Sequence, residues 1–214
     1  MTGWQKLWQD PKVVEMWEQF TPLPEVMALA DRLEVEGGRR LLDIGCGLGR
    51  HTVYLAARGL DVTGTDYSPE ALRVCRQNLA TAGLTANLLE VDMTEIPFPD
   101  GHFDGFVASH AIHHCDGPAL QRIIRLISQK LRSGGRLVWA TQSTRHWRLG
   151  MGKEIDPGTW VDADHWEGSV PHHYCSEEEV RDLLKDYIIE SMVEHEFREG
   201  EHSHFHWRVL ARRR

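Results

Sequence analysis

No apolar run in this chain approaches the roughly 20 residues that a membrane helix needs, so no membrane insertion is expected. The segment Met1 to Asp10 is polar with two tryptophans and lacks the basic-then-apolar order of a secretion leader. Cysteine is scarce: Cys46, Cys75, Cys115 and Cys175 are widely spaced, with no Cys-x-x-Cys pair. That excludes a disulfide framework and a zinc–cysteine site, and points to a reducing, cytoplasmic setting. An excess of positive charge is also missing. The 24 basic and 32 acidic side chains give a formal charge of −8, so bulk electrostatics does not favour a nucleic-acid partner. Locally basic are Arg212-Arg213-Arg214, read as a solvated tail, and Arg145-His146-Trp147-Arg148, suited to a substrate anion. No internal repeat or low-complexity tract occurs. A length of 214 residues suits one α/β domain with a sizeable core, working as a monomer or homodimer.

What is present is concentrated at Leu41-Leu42-Asp43-Ile44-Gly45-Cys46-Gly47-Leu48-Gly49-Arg50. This reads as an apolar strand ending on an acid, then a glycine-rich turn, then a helical pattern through His51, Tyr54, Leu55 and Ala56 that Gly59 stops. Alternate glycines let the backbone turn sharply and approach a ligand, with a helix N-terminus facing it. A dinucleotide fingerprint would place its third glycine at position 50, where this chain has Arg50. Two more apolar runs end on acids, Leu60 to Asp66 and Asn87 to Asp92. Ser68-Pro69-Glu70 opens a helix after the second. Asp43, Asp66 and Asp92 thus stand at carboxyl ends of strands, where open α/β sheets bind ligands. Asp104, with no glycine loop after it, reads instead as a turn cap.

The Asp-x-Gly-x-Gly-x-Gly pattern with this series of acids resembles the class I S-adenosylmethionine-dependent methyltransferases, over about residues 38–214. The phrasing from Leu42 to Ala56 is most similar to small-molecule enzymes of the tellurite-resistance and ubiquinone-biosynthesis branch. The resemblance implies S-adenosylmethionine as cofactor and S-adenosylhomocysteine as product. It places Asp43 beside the methionine part, Asp66 on the ribose hydroxyls, Asp92 on the adenine amino group and Met93 near the ring. A carboxylate suits paired hydroxyl donors and an exocyclic amine alike. Gly45, Cys46, Gly47, Gly49, Tyr67 and Ser109 complete the expected cofactor set. Cys46 also reads as a small buried hydrophobe.

The remainder reads as a doubly wound, Rossmann-like sheet. Trp8 to Phe20 and Glu25 to Leu33 form helices in an N-terminal accessory segment, residues 1–37, expected to cover the site. Phe103 to His110 is the fourth strand, and Pro118 to Leu131 an amphipathic helix with Leu120, Ile123, Ile124 and Ile127 on one face. Arg136 to Thr141 is the fifth strand. Ser176 with Glu179 is a capping box opening a helix to about Asp186. Ile188 to Phe197 and His204 to Ala211 then alternate as two strands. The resemblance makes them strands six and seven of a seven-stranded sheet, the last antiparallel.

A sulfonium methyl donor needs only a nucleophile held in line, and a protonated oxygen or nitrogen acceptor adds the need for a base. His110, His113 and His114, just after the fourth strand, are the candidates. Their alternative is packing or capping. The stretch from Ser143 to Cys175 is too long for an ordinary connection and reads as a lid or as a surface excursion with its own small core. Trp160, His172, His173 and Tyr174 from it, with Trp17 and Phe20 from the N-terminal helices, are the expected acceptor-binding residues. The thirteen histidines include the adjacent pairs at 113–114 and 172–173 and the alternating His202, His204 and His206. The pairs point to opposite sides and no carboxylate stands at a recognised ligand spacing, so no metal site is expected. The function expected is methyl transfer to a small molecule. An RNA methyltransferase and a non-catalytic S-adenosylmethionine-binding regulator are the alternatives, with a nicotinamide oxidoreductase behind them.

Overall fold

The computed structural model describes residues 4, 7–18, 21–165, 167 and 169–214, and for residues 11 and 16–18 the backbone alone. Phe20, the Trp17 side chain and Trp166 therefore lie outside the described residues. Helices α1 (Pro11–Glu18) and α2 (Pro24–Glu36) precede β1 (Arg40–Ile44), α3 (Arg50–Ala57), β2 (Asp61–Asp66) and α4 (Pro69–Thr81). There follow β3 (Asn87–Glu90), β4 (Phe103–Ser109), α5 (Gly117–Lys130) and β5 (Leu131–Gln142). Three short strands, β6 (Lys153–Asp156), β7 (Thr159–Val161) and β8 (Pro171–His173), lead to α6 (Glu177–Leu183) and to β9 (Tyr187–Glu199) and β10 (His202–Arg213).

Seven strands form one sheet in the order β3-β2-β1-β4-β5-β10-β9. The first five are parallel, and β10 runs antiparallel between β5 and β9. This is the doubly wound, seven-stranded arrangement with the last strand reversed. Successive side chains of a strand enter opposite layers. Leu41, Val107, Val138 and Ala140 pack with α2, α3 and α4 on one face. Leu42, Ile44, Phe106, Leu137 and Trp139 pack with α5 and α6 on the other. Both faces being apolar, both need helices over them; each fully buried Leu, Ile or Phe contributes about 1.5–3 kcal/mol.

The helix starts follow from local chemistry. Ser68 Oγ accepts the Ala71 amide and Asp116 Oδ1 the Ala119 amide, each with proline in the first turn. Ser176 Oγ accepts the Glu179 amide, half of the expected capping box. The Glu179 carboxylate turns instead to His173, at 2.8 Å. Asp104 accepts the amides of Arg39 and Arg40 at 2.8 and 2.9 Å and pairs with Arg132, a purely structural use.

Some boundaries differ from the expectation. α1 begins at Pro11, which leaves Trp8 in a turn. β3 stops at Glu90, because Asp92 Oδ1 accepts the amide and hydroxyl of Thr94 and curls the chain. The Ser143–Cys175 excursion carries a small antiparallel sheet in the order β6-β7-β8. Pro157-Gly158, with Gly158 at φ 76°, turns the chain from β6 into β7, a turn dipeptide that aperiodic flanks hide from pattern reading.

Candidate active site

The glycine loop lies at the carboxyl ends of β1 and β2, bound to the second by hydrogen bonds. Cys46 N donates to Thr65 O at 2.8 Å, and Gly47 N to Asp66 Oδ2 at 2.9 Å. Asp66 Oδ1 accepts the Ser68 amide at 2.9 Å, so one carboxylate holds both the loop and the entry to α4. Burial pushes the Asp66 carboxyl upward, against the amides of Ser68, Gly47 and Tyr67, which favour its charged form. Gly45 adopts φ 65°, and a Cβ there would stand 2.4 Å from Ala111 Cβ. Glycine thus lets the turn after β4 close against this loop.

Two expected cofactor residues lie beneath the cavity rather than in its lining. Asp43 is buried and accepts the Thr52 hydroxyl at 2.7 Å; burial pushes its carboxyl up to about 7. Gly49 precedes α3 at φ 89°, and a Cβ there would meet Cys75 Sγ at 2.5 Å. Both shape the loop from behind. The cavity has a volume of about 330 Å³, within the range of small-molecule sites. Gly45, Cys46, Gly47, Asp66, Tyr67, Asp92, Met93 and Ser109 line it.

Sequence reasoning missed Trp4, Trp8 and Arg50, which also line it. The Trp4 and Trp8 rings stack with centroids 5.4 Å apart. The N-terminal segment therefore reaches the cavity through these tryptophans; the expected Trp17 side chain and Phe20 lie outside the described residues. Arg50 Nη2 donates to Ser109 Oγ at 3.2 Å, and burial lowers its guanidinium to about 10, so it stays charged at neutral pH. Its place at the end of the glycine motif was the available signal.

Of the three candidate bases, His110 and His114 line the cavity and His113 does not. His113 is buried behind them, where its carbonyl accepts the His173 amide at 2.9 Å. Burial, then neighbouring imidazoles or cations, lowers all three well below the ordinary histidine value, so each is neutral at physiological pH. His110 has φ 52°, the one non-glycine residue with positive φ among the described residues. Such strain persists where surrounding structure fixes it, often at functional sites. Its ring meets His206 edge to face at 4.6 Å.

The expected acceptor residues of the excursion are placed elsewhere. His173 is buried between Thr159 Oγ1 (2.7 Å) and Glu179, His172 bonds Glu167, and Tyr174 is buried. Trp160 sits in β7, opposite His172. None of the four lines the cavity, because the small sheet absorbs them; the excursion reaches it through Val170.

Residues 42–139 match a family model described as a methyltransferase domain. An uncharacterized methyltransferase of Synechocystis sp. is 36% identical over 118 residues, covering 55% of this chain and 51% of the relative. A ubiquinone biosynthesis O-methyltransferase of Aromatoleum aromaticum is 33% identical over 128 residues, covering 58% and 54%. The chain thus spans about half the length of the curated relatives it matches. A crystal structure from Methanosarcina mazei, described as an S-adenosylmethionine-dependent methyltransferase, superposes with a TM-score of 0.75. It is 22% identical and covers 91% of this chain and 99% of its own.

Proposed function

We infer that this chain is a class I S-adenosylmethionine-dependent methyltransferase, as the methyltransferase-domain match over residues 42–139 supports, and that it transfers a methyl group to a small-molecule acceptor by in-line displacement. The observation that carries the reading is the single cavity wall in which the glycine loop, Asp66 and Asp92 meet. Asp66 suits the ribose hydroxyls, Asp92 an exocyclic amine, Met93 the face of a base, and the Arg50 guanidinium a carboxylate. The donors and acceptors present therefore fit a nucleoside joined to an amino acid. The cofactor supplies a methyl group already activated on a sulfonium.

The chain's own contribution is positioning and proton control. Trp4 and Trp8, from the accessory segment, give the cavity apolar walls that exclude water and orient an acceptor. His110, neutral and in the lining, is the base we assign to an acceptor whose nucleophilic atom carries a proton. The net charge of −8 and the four unpaired cysteines support a small, non-nucleic-acid acceptor and a cytoplasmic site of action. No helix among the described residues is long and apolar enough to cross a membrane.

The test is incubation with methyl-labelled cofactor and, separately, fractionated metabolites and total RNA. Label is expected in a metabolite fraction, dependent on the protein. Label in RNA would make the chain an RNA methyltransferase. Binding without transfer in either arm would favour a regulatory cofactor sensor.

A further inference from the structure

Beside the cavity, the excursion brings two of its own metal-ligating side chains, five positions apart, to a third that lies more than fifty positions earlier. His114 follows β4, His172 lies in β8, and Glu167 precedes β8; their ligand atoms all lie within 4.8 Å of one another. The carboxylate missing from the sequence pattern is therefore supplied by folding. Glu167 Oε2 lies 2.5 Å from His172 Nε2 and 4.0 Å from His114 Nδ1. The other nitrogen of His172 faces the Val170 carbonyl at 3.0 Å. A carbonyl only accepts, so Nδ1 carries a proton, and Nε2 is the nitrogen that faces the carboxylate. A ring nitrogen and a carboxylate oxygen 2.5 Å apart share a proton, which a metal ion displaces when it takes both as ligands. His114 Nδ1 is buried, has no hydrogen-bond partner among the described residues, and stands 4.0 Å from the same carboxylate oxygen. An unsatisfied buried group of this kind is costly unless something fills it.

We propose that His114, His172 and Glu167 hold one divalent transition-metal ion, zinc or a neighbouring late first-row metal, in the wall of the cavity. Two imidazoles and a carboxylate suit such an ion and leave it an open position. Bond lengths near 2.0–2.1 Å imply ligand separations of about 3.3 Å in a tetrahedral site. The observed 2.5 and 4.0 Å bracket that value, so small side-chain shifts complete the site. The Val170 carbonyl orients His172 as an outer partner does in metal sites. Because His114 lines the cavity, the open position is available to water or to an oxygen or nitrogen of the acceptor. The ion site stands on its own geometry; only its use toward the acceptor rests on the methyl-transfer reading.

The test is titration of metal-stripped full-length protein with Co²⁺, read by visible absorbance and by calorimetry. One equivalent should give the intense bands of a low-coordinate ion, and Zn²⁺ should displace it. Zn²⁺ should also raise the melting temperature, because the ligands join separate segments. Glu167→Gln and His172→Gln should each weaken binding about tenfold or more, with circular dichroism and S-adenosylhomocysteine affinity retained. His173→Gln is the control for the nearby His173, Cys175 and Glu179 group, in which both His173 nitrogens already have partners. In the unmodified protein, Co²⁺ should perturb the ring resonances of His114 and His172 before that of His202, a readout independent of any variant's folding. Absence of a saturable signal, or a signal lost only in His173→Gln, would overturn the proposal. Methyl transfer by protein that binds no Co²⁺ would refute the site and leave the enzyme reading intact. Co²⁺ binding without any methyl transfer would do the reverse.

Discussion

The Gly47 amide donates to Asp66 Oδ2 at 2.9 Å, so the glycine loop after β1 and the acid ending β2 act as one unit. Gly47 has φ 54°, and the nearest atom to a Cβ there, on Trp8, is 3.8 Å away across the cavity. Gly49 faces the core instead, where a Cβ would stand 2.5 Å from Cys75 Sγ. Gly47→Val should therefore abolish cofactor binding with a modest loss of melting temperature. Gly49→Val should lower stability by about 1–3 kcal/mol through overpacking, with added backbone strain. Calorimetry beside urea unfolding separates the two.

Asp104 and Asp66 are both buried acids near strand ends, yet their variants should behave oppositely. Burial raises the Asp104 carboxyl, but the Arg40 amide, Arg132 and the Arg39 amide hold it below the ordinary range. Asp104→Ala should cost about 2–4 kcal/mol in chemical denaturation, since two backbone amides and a guanidinium lose their acceptor. Cofactor affinity in the folded fraction should stay within a few-fold. A tenfold loss of affinity would contradict the structural role.

The buried histidines set a pH dependence of stability. Burial first, and neighbouring imidazoles next, lower His206 to about 4, His165 to about 3 and His146 to about 2. At pH values above 6.5 these groups are neutral in both the folded and unfolded states and contribute no slope. Below that the unfolded chain takes up protons first, so stability is lost as pH falls from 6.5 toward each folded value. Each group contributes about 1.4 kcal/mol per pH unit across its window. The urea midpoint should thus fall between about pH 7 and pH 5, and His206→Gln should reduce the slope. A midpoint unchanged over that range would contradict the buried, neutral assignment.

Trp8→Ala should impair methyl transfer more than Tyr174→Ala does at equal folded fraction. Trp8 lines the cavity, whereas Tyr174 is buried within the excursion. Tyr174→Ala should instead lower the melting temperature, as aromatic truncation in a core typically costs about 3–5 kcal/mol. Steady-state kinetics and melting curves on both variants decide the matter.

The sheet was legible because its first three strands are short apolar runs with an acid at or just beyond their ends, and three of its helices begin with Ser68-Pro69, Asp116 with Pro118, and Ser176. The cofactor wall was legible for the same local reasons. Asp43 and Gly49 share the motif's spacing with residues that do line the cavity, and only the direction of the loop separates the two groups. The acceptor side depends on long-range packing. Trp4 and Trp8, which reach the cavity, lie ahead of α1, and Pro157-Gly158 folds the excursion so that Val170, rather than His172 or Tyr174, faces inward. The approach of Glu167 to His114 joins residues more than fifty positions apart, beyond any local pattern.

Titration of S-adenosylhomocysteine into the unmodified protein and into Asp66→Ala tests the central claim most directly. Each hydrogen bond to a charged carboxylate contributes about 1.5–3 kcal/mol. We expect one-to-one binding by the unmodified protein, weakened by an order of magnitude or more in the variant, and no comparable binding of NAD. No heat of binding, equal affinity in both proteins, or tighter binding of NAD would contradict the account.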